Sequence, residues 1–235
     1  MTAEADTKTT PRVPLTRDRI LRAAVALADA DGLDAVSMRK VGQELGVEAM
    51  SLYNHVDNKE DILEGMLEIV MLEIEEATDG FRLPAEDEDW KTAMRERIMT
   101  ARESMLRHKW APSVLETRNE MSMLMVRYAD SLLGIMRHGG LSYDLAHHAM
   151  HALGTRMLGF NVELFEPENK QESEAKTEAM MMQMAPQIPH LIEMMTEIVH
   201  DDGPDDTIGW CDDQTEFAFS VDIILDGLDR INGDS

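Results

Sequence analysis

Three absences narrow the class of protein before any motif is considered. The 235 residues include one cysteine, Cys211, which excludes an intrachain disulfide. No apolar run approaches the ~20 residues of a membrane span, and residues 1–12 lack the apolar core of a signal peptide. We therefore expect a cytoplasmic protein that makes no membrane contact.

Basic residues are also scarce. Lysine and arginine number 22 against 46 aspartates and glutamates, which gives a formal net charge of −24. A protein that coats nucleic acid without regard to sequence needs a wide basic surface, so that class is excluded. The deficit is uneven: residues 1–60 hold 8 basic and 10 acidic residues, a net of −2, which leaves −22 for residues 61–235. Only the N-terminal end can approach DNA without strong repulsion.

Strand patterns are missing as well, and helical spacing runs through the chain, so we predict an all-α protein. Two helices, from Ser142 to about Phe165 and from Thr215 to Ile231, carry apolar seams close to a 3.5-residue period. The seams are Ala146, Met150, Leu153, Met157, Phe160 and Leu164, and Phe217, Val221, Ile224, Leu228 and Ile231. They line either the core of a single chain or a four-helix interface between two copies.

The stretch SMRKVGQELGVEAMSLYNHVDNK, residues 37–59, predicts two short helices joined by a tight turn. Ser37 is the expected N-cap of the first, and Gly46 is its expected end. The second is predicted from Ala49 to about Val56, with Leu52 and Val56 buried. Before them, Thr16 should cap a helix that reaches about Ala30, and after them Asn58 should cap a fourth.

An exposed helix of this kind fits the major groove of DNA. Ser51, Tyr53 and His55 can donate to phosphates, and Asn54 can pair with an adenine edge. Met50 can touch a thymine methyl, while Arg39 can reach a base or a phosphate. Lys59, beside the free N–H groups of the fourth helix, suits a phosphate. The alternative is that two short helices with glycine turns belong to an ordinary bundle, with Tyr53 half-buried.

The run TRDRILRAAVALADADGLDAVSMRKVGQELGVEAMSLYNHVDNKEDIL, with its Leu45-Gly46-Val47 and Ser51-Leu52-Tyr53 pieces, resembles the DNA-binding head of the TetR (tetracycline repressor) family. Downstream, LRHKWAPSVLETR, LGFNVELFE and FAFSVDIILDGLDRI are similar to the C-terminal domain of the tetracycline-repressor type. By this match the family's DNA-contacting positions are Arg39, Ala49, Met50, Ser51, Tyr53, Asn54, His55 and Lys59. Ala49-Met50 stands where the family has Gln-Pro, and Asn54 stands where it has a tryptophan. A different operator is therefore expected.

The resemblance implies a disordered arm (1–14), a three-helix helix-turn-helix head (15–60) and a larger helical domain for ligand binding and dimerisation (61–235). It implies a ligand-responsive repressor that binds a palindromic operator on double-stranded DNA as a homodimer and is released by a small-molecule effector. An activator, or a regulator without ligand response, is the alternative. The sequence offers no nucleophile–base pair, phosphate loop or set of metal ligands that would indicate an enzyme. No cofactor is expected.

In tetracycline-binding relatives, a His, a Thr and a Glu hold the drug's magnesium. Here Val114 stands in place of the His, although Thr117 and Glu163 remain, so the resemblance implies a different effector that is apolar or aromatic. The candidate lining comprises Met66, Trp110, Val114, Thr117, Met121, Met125, Met157, Asn161 and Glu163. Each of these is also a plausible core residue. His147, His148 and His151 lack a completing ligand, and no metal site is expected.

Overall fold

The computed structural model describes residues 14–117, 121–158, 185–190, 192–193 and 213–234, and these ranges contain helices and no strand. The predicted all-α fold is confirmed. The α-helices are α1 Arg17–Asp31, α2 Met38–Leu45, α3 Ala49–Leu52, α4 Lys59–Ala77, α5 Trp90–Arg107, α6 Ala111–Glu116, α7 Met123–His138, α8 Tyr143–Leu153 and α9 Asp213–Gly233. Most of the predicted N-terminal arm lies outside the described residues.

The starts of the N-terminal helices follow from capping side chains, as predicted. Thr16 accepts a hydrogen bond from the backbone N–H of Arg19, and Ser37 accepts one from that of Lys40. Each cap satisfies an amide group that has no partner within its helix. At the far end of α2, Gly46 adopts the left-handed conformation with φ 67°, which a residue with a side chain rarely adopts.

The helix that follows the turn is shorter than predicted. α3 ends at Leu52 instead of near Val56, and residues 53–55 form turns. Both Leu52 and Val56 are buried, and the N–H of Val56 still bonds to the carbonyl of Leu52 at 3.0 Å. The physical reason is the next cap: Asn58 must be extended (φ −162°) to begin α4, so the chain leaves the helix before it.

α4 is packed on two sides, as predicted. It contacts α1 of the head along one side and α5, α6 and α7 of the larger domain along the other. Ile62, Met66, Val70 and Ile74 are each 0% exposed. At Gly65 an added Cβ would lie 2.4 Å from Leu21 on α1, so the two helices approach closely at that point.

The predicted extent of the helix from Ser142 to about Phe165 is wrong. α8 ends at Leu153, and a 3₁₀ segment covers Gly154–Leu158. Gly154 has φ +42°, a conformation that the α-helix cannot contain. The apolar spacing of the sequence continues across this glycine, and spacing alone carries no information on a backbone break.

The apolar seam of α9 lies inside the single chain. Phe217 and Val221 are 0% exposed, and α9 contacts α5 and α8. The guanidinium of Arg102 lies 4.1 Å from the Phe217 ring centroid, a cation–π contact between α5 and α9. The structure therefore favours the core alternative for most of the seam. Ile231, the last residue of the seam, is 49% exposed, and two apolar residues of α9 outside the seam, Phe219 and Ile223, are 61% and 56% exposed.

Within the described ranges, none of the helices combines the length and apolar character needed to cross a membrane.

Candidate functional site

The side chains predicted to face DNA lie on the outer surface of α3 and the turn after it. Met50 is 74% exposed and Tyr53 is 49% exposed, and Asn54 and His55 are also exposed. Ser51 and Ala49 are half-buried. Between them Leu52, at 0% exposure, fixes the helix to the head's core. A buried leucine flanked by exposed polar and aromatic groups is the arrangement needed to present a surface and hold it rigidly.

α2 contributes Arg39 to the same end of the molecule, where its side chain is exposed. The separation of α2 from α3 depends on Gly42, because a Cβ at that position would lie 3.0 Å from the carbonyl oxygen of Val47. The turn therefore packs directly on the backbone of α2. This close approach sets the angle at which Arg39 and α3 project together.

Two predicted contacts are altered by local hydrogen bonds. The amide nitrogen of Asn54 donates to the carbonyl of Ser51 at 3.4 Å, so part of its donor capacity is used within the turn. At the start of α4, Asn58 accepts from the N–H of Asp61, and the Asp61 carboxylate accepts from the N–H of Asp57. These two amide groups are no longer available to a phosphate, whereas the charge of the half-buried Lys59 can still attract one.

The same start of α4 is joined to α1. Arg17 donates to the Asp61 carboxylate at 2.6 Å and lies 3.8 Å from Glu68. Partial burial favours the neutral form of Asp61, but the hydrogen bonds from Arg17 and from the Asp57 amide outweigh it and hold the pKa of that carboxyl below its usual value. The head is thereby fastened to the first turn of α4.

A second polar cluster joins the head to the larger domain at the other end of α1. We call it the junction cluster: Asp29 on α1, Glu73 on α4, and His108 and Trp110 between α5 and α6. Nδ1 of His108 lies 2.9 Å from Asp29, and Nε2 lies 3.1 Å from Glu73. The indole N–H of Trp110 donates to Asp29 at 2.7 Å. The His108 side chain is 8% exposed and those of Asp29 and Glu73 are 31% and 36% exposed, so the cluster is a partly buried link among three elements.

The residues predicted to line a ligand site are distributed between core and surface. Met66, Trp110, Val114 and Met125 are between 0% and 8% exposed and belong to one core cluster. Met121 is 60% exposed, and Thr117 is exposed with its hydroxyl donating to the carbonyl of Val114. The side chain of Met157, and Asn161 and Glu163 entirely, lie outside the described residues.

A cavity of about 200 Å³ lies instead between the C-terminal end of α4, the segment 78–89 and α5, and none of the six candidates whose side chains the structure describes lines it. Its walls include Arg82, Arg97 and Thr100, which our reading of the sequence missed. Arg97 did carry a signal: it falls on the apolar face of α5, beside Met94, Ile98 and Ala101, where an arginine is costly to bury.

The histidines of α8 contact one another edge to face at the surface. The ring centroids of His147 and His151 lie 4.7 Å apart, and all three histidines are exposed. Across the described part of the chain, no group of three or more His, Cys, Asp or Glu side chains is placed to hold a metal ion.

The short paired helices, the exposed face and the two-sided α4 define the class: a helix-turn-helix regulator with a helical regulatory domain. Comparison with known families agrees. Residues 20–66 match the model for bacterial regulatory proteins of the tetR family, and residues 83–231 match the tetracyclin repressor-like C-terminal domain. The chain therefore belongs to the TetR family, and it is a DNA-binding transcriptional regulator.

Curated relatives are regulators of the same family. The chain is 28% identical over 220 residues to the HTH-type transcriptional repressor DrrR1 of Streptomyces coeruleorubidus, covering 93% of this chain and 79% of that protein. It is 30% identical over 146 residues to the class D tetracycline repressor protein of Escherichia coli, covering 62% of this chain and 64% of that protein.

Solved structures share the whole architecture. Apo ActR from Streptomyces coelicolor aligns with a TM-score of 0.71 at 25% identity, covering 94% of this chain and 98% of that one. ActR in complex with actinorhodin aligns with a TM-score of 0.69 at 25% identity, covering 92% and 96%. The family expected from the sequence is thus confirmed.

The recognition surface is tested by substitution of Tyr53. We expect Tyr53→Ala to weaken binding to operator DNA by about tenfold or more, because a phosphate contact and its apolar area are lost. The thermal unfolding midpoint should change little, since the ring is half-exposed. Electrophoretic mobility shift on the DNA upstream of the gene measures the first, and circular dichroism measures the second.

The neighbouring Leu52→Ala is the matched contrast. It should destabilise the head by about 2–5 kcal/mol through a core cavity. Undiminished DNA binding by Tyr53→Ala would contradict the assignment of this face.

The junction cluster is tested by His108→Ala. Removing the ring takes one hydrogen-bond partner from each carboxylate, although Asp29 keeps the Trp110 indole N–H and Glu73 keeps Arg107, so we expect a loss of about 1–3 kcal/mol in the free energy of unfolding. Chemical denaturation of the full chain measures it. His190→Ala, at a side chain 97% exposed, is the control and should stay within about 0.5 kcal/mol of the parent. Equal stability of the two variants would show that the cluster contributes nothing.

Proposed function

We propose that this protein is a transcriptional repressor that acts in the cytoplasm, binds a palindromic operator as a homodimer and leaves it when a small-molecule effector binds. The observation that carries the proposal is the pairing of α2 and α3. Their inner faces are fixed by Val41 and Leu52, both 0% exposed, while Arg39 and Tyr53 are exposed. A helix held in this way can enter a major groove and contact base edges and phosphates.

Charge supports this orientation. The first 60 residues carry a net of −2 and the remainder −22, so DNA is repelled by every part except the head. A weak overall attraction also limits non-specific binding, because that binding depends on phosphate neutralisation. The specific contacts of α2 and α3 must then supply most of the affinity.

A homodimer is supported by the outer face of α9. Phe219, Ile223 and Ile231 are each about half exposed or more and share one side of the helix. On the adjoining α8, Tyr143 is 72% exposed. An apolar row on a pair of packed helices is suited to an identical pair related by a two-fold axis, the commonest symmetry of oligomers. A palindromic operator follows, because two identical heads then face two identical half-sites.

Effector release is supported by the route between the domains. α4 contacts α1 on one side and α5, α6 and α7 on the other, and the junction cluster adds a polar link through Trp110 at the start of α6. A molecule that displaced α6 or the end of α4 would therefore displace the head. ActR, with which this chain shares its fold, has been solved with actinorhodin bound. We propose that the effector here is a small molecule with an apolar or aromatic body, bound without turnover.

Operator binding is tested by footprinting the DNA upstream of the gene. We expect protection of two inverted half-sites whose centres lie roughly 34–36 Å apart, one helical turn. Scrambling one half-site should remove most of the affinity, because both heads bind as a unit. Protection of a single unrepeated site, or of none, would contradict the proposal.

Dimerisation is tested by Ile223→Asp, which places a charge in the exposed row of α9. We expect sedimentation to change from dimer to monomer and operator binding to fall by about a hundredfold or more, because bivalency is lost. Leu72→Asp is the matched control, because Leu72, at 49%, is exposed to a similar degree but lies on α4. It should remain dimeric. A parent protein that sediments as a monomer at micromolar concentration would overturn the dimer.

A further inference from the structure

The cavity beside α5 contains a buried positive charge. Arg97 lines it and is only 6% exposed, and the other walls include Thr78, Pro84, Ala93 and Ile135. A volume of about 200 Å³ exceeds the ~150 Å³ cavity that accommodates a benzene molecule. The space is therefore large enough for a small organic molecule with one ring or a short alkyl chain.

The guanidinium of Arg97 is held in place by neutral groups. One terminal nitrogen donates to the hydroxyl of Ser131 at 2.6 Å, and the other donates to the backbone carbonyl of Arg82 at 2.6 Å. The Ser131 hydroxyl in turn donates to the carbonyl of Tyr128, which fixes its orientation. A guanidinium has five N–H donors, so donor capacity beyond these two bonds remains.

No carboxylate in the described part of the chain lies within ion-pair distance of Arg97. Burial lowers the pKa of Arg97, and the nearby charge of Arg82 acts in the same direction. Its neighbour Arg95, on the same helix, pairs with Asp222 at 2.9 Å. A buried cation without a counterion is costly, and an anion placed beside it would recover part of that cost.

The acidic residues at the cavity do not supply that anion. Asp79 lies 3.4 Å from Arg82 and is 86% exposed, and Glu88 also contacts Arg82, at 3.9 Å. Glu96 is exposed. Arg82 offsets the charges of Asp79 and Glu88. The buried Arg97 guanidinium lies 5.7 Å from the Phe81 ring centroid, but it has no carboxylate counterion among the described residues.

We propose that this cavity binds a small organic acid, whose carboxylate pairs with Arg97 while its apolar part packs against Pro84, Ala93 and Ile135. The inference rests on the proposed function, for which it names the chemical class of the effector. A carboxylate can accept two parallel N–H bonds from a guanidinium, which orients the molecule as well as holding it. Because the cavity adjoins the end of α4, its occupation bears directly on the helix that carries the head.

Arg97 also has a structural role, since its two bonds join the segment 78–89 to α7 without any ligand. The experiment must therefore use a readout that this role would not move. That readout is discrimination between an acid and its uncharged amide. A purely structural arginine would give no preference between the two.

The test uses the full-length protein and three matched pairs at neutral pH: benzoate and benzamide, 2-naphthoate and 2-naphthamide, and octanoate and octanamide. Thermal shift and titration calorimetry measure binding. We expect at least one acid to raise the unfolding temperature and to bind about tenfold or more tightly than its amide. Equal effects of acid and amide in all three pairs, or no effect of any acid, would overturn the proposal.

Variants of Arg97 locate the effect. Arg97→Gln should reduce affinity for the acid to that for the amide, and Arg97→Lys, which keeps a point charge, should retain part of the preference. Arg95→Gln is the matched control and should bind the acid as the parent does. If Arg97→Gln does not fold, Arg97→Lys is the deciding variant, because its preference for the acid over the amide must be smaller than that of the parent. An acid bound equally well by the parent and by Arg97→Lys or Arg97→Gln would contradict the assignment.

Mobility shift with operator DNA separates this inference from the proposed function. Release of DNA by the bound acid supports both. Binding of the acid by calorimetry with no release supports the site and contradicts its use as the effector site. Release of DNA by the neutral amides alone supports a ligand-released repressor and overturns the proposal that the effector is an organic acid.

Discussion

The structure depends on the burial of α4 on two sides. A helix that packs on only one side can move without disturbing the element behind it. α4 has no such freedom, because Ile62, Met66, Val70 and Ile74 are fully buried between the head and the larger domain. Gly65 brings α1 so close that a methyl group would collide with Leu21. The packed interior has low compressibility, so a shift at one face of α4 is transmitted to the other.

Two polar links fix the relative position of these packed helices. Arg17 and Asp61 join the head to the first turn of α4, while Asp29 reaches His108 and Trp110 beside the start of α6. The apolar contacts alone would tolerate sliding, since they are non-directional. Hydrogen bonds of fixed geometry remove that tolerance. The head is thus held at both ends of α1, and its position is set by helices that include α4, which borders the cavity beside α5.

The charge distribution gives the head and the larger domain different roles. The acidic body keeps DNA away from all surfaces except the head and leaves the head's few cations to act locally. Within the body, most of the arginines that α5 carries have partners: Arg95 pairs with Asp222, and Arg102 lies over Phe217. Arg97 is buried against two neutral oxygen acceptors and the Phe81 ring, and no carboxylate of the described residues lies within ion-pair distance of it. The cavity beside it is therefore suited to an anion from outside.

The helix-turn-helix head was predictable because its information is local. Thr16, Ser37 and Asn58 cap the helices that the sequence predicted, and the inward set around Leu52 follows from spacing of three and four residues. Capping and amphipathic spacing act within one or two turns, so a single sequence contains them. The exact end of α3 and the end of α8 at Gly154 were not predictable, since each depends on where the next element must begin.

What only the tertiary structure decided concerns which side of each helix meets which neighbour. The seam of α9 had two possible partners, and the fold places Phe217 and Val221 inside the chain while leaving Phe219 and Ile223 outside. Those of the proposed ligand residues that the structure describes are in the core or at the surface, whereas the cavity formed around Arg97. An arginine at an apolar helix position was visible in the sequence. Whether a carboxylate would meet it depended on residues 15 and 34 positions away, whose approach is fixed by packing and not by local pattern.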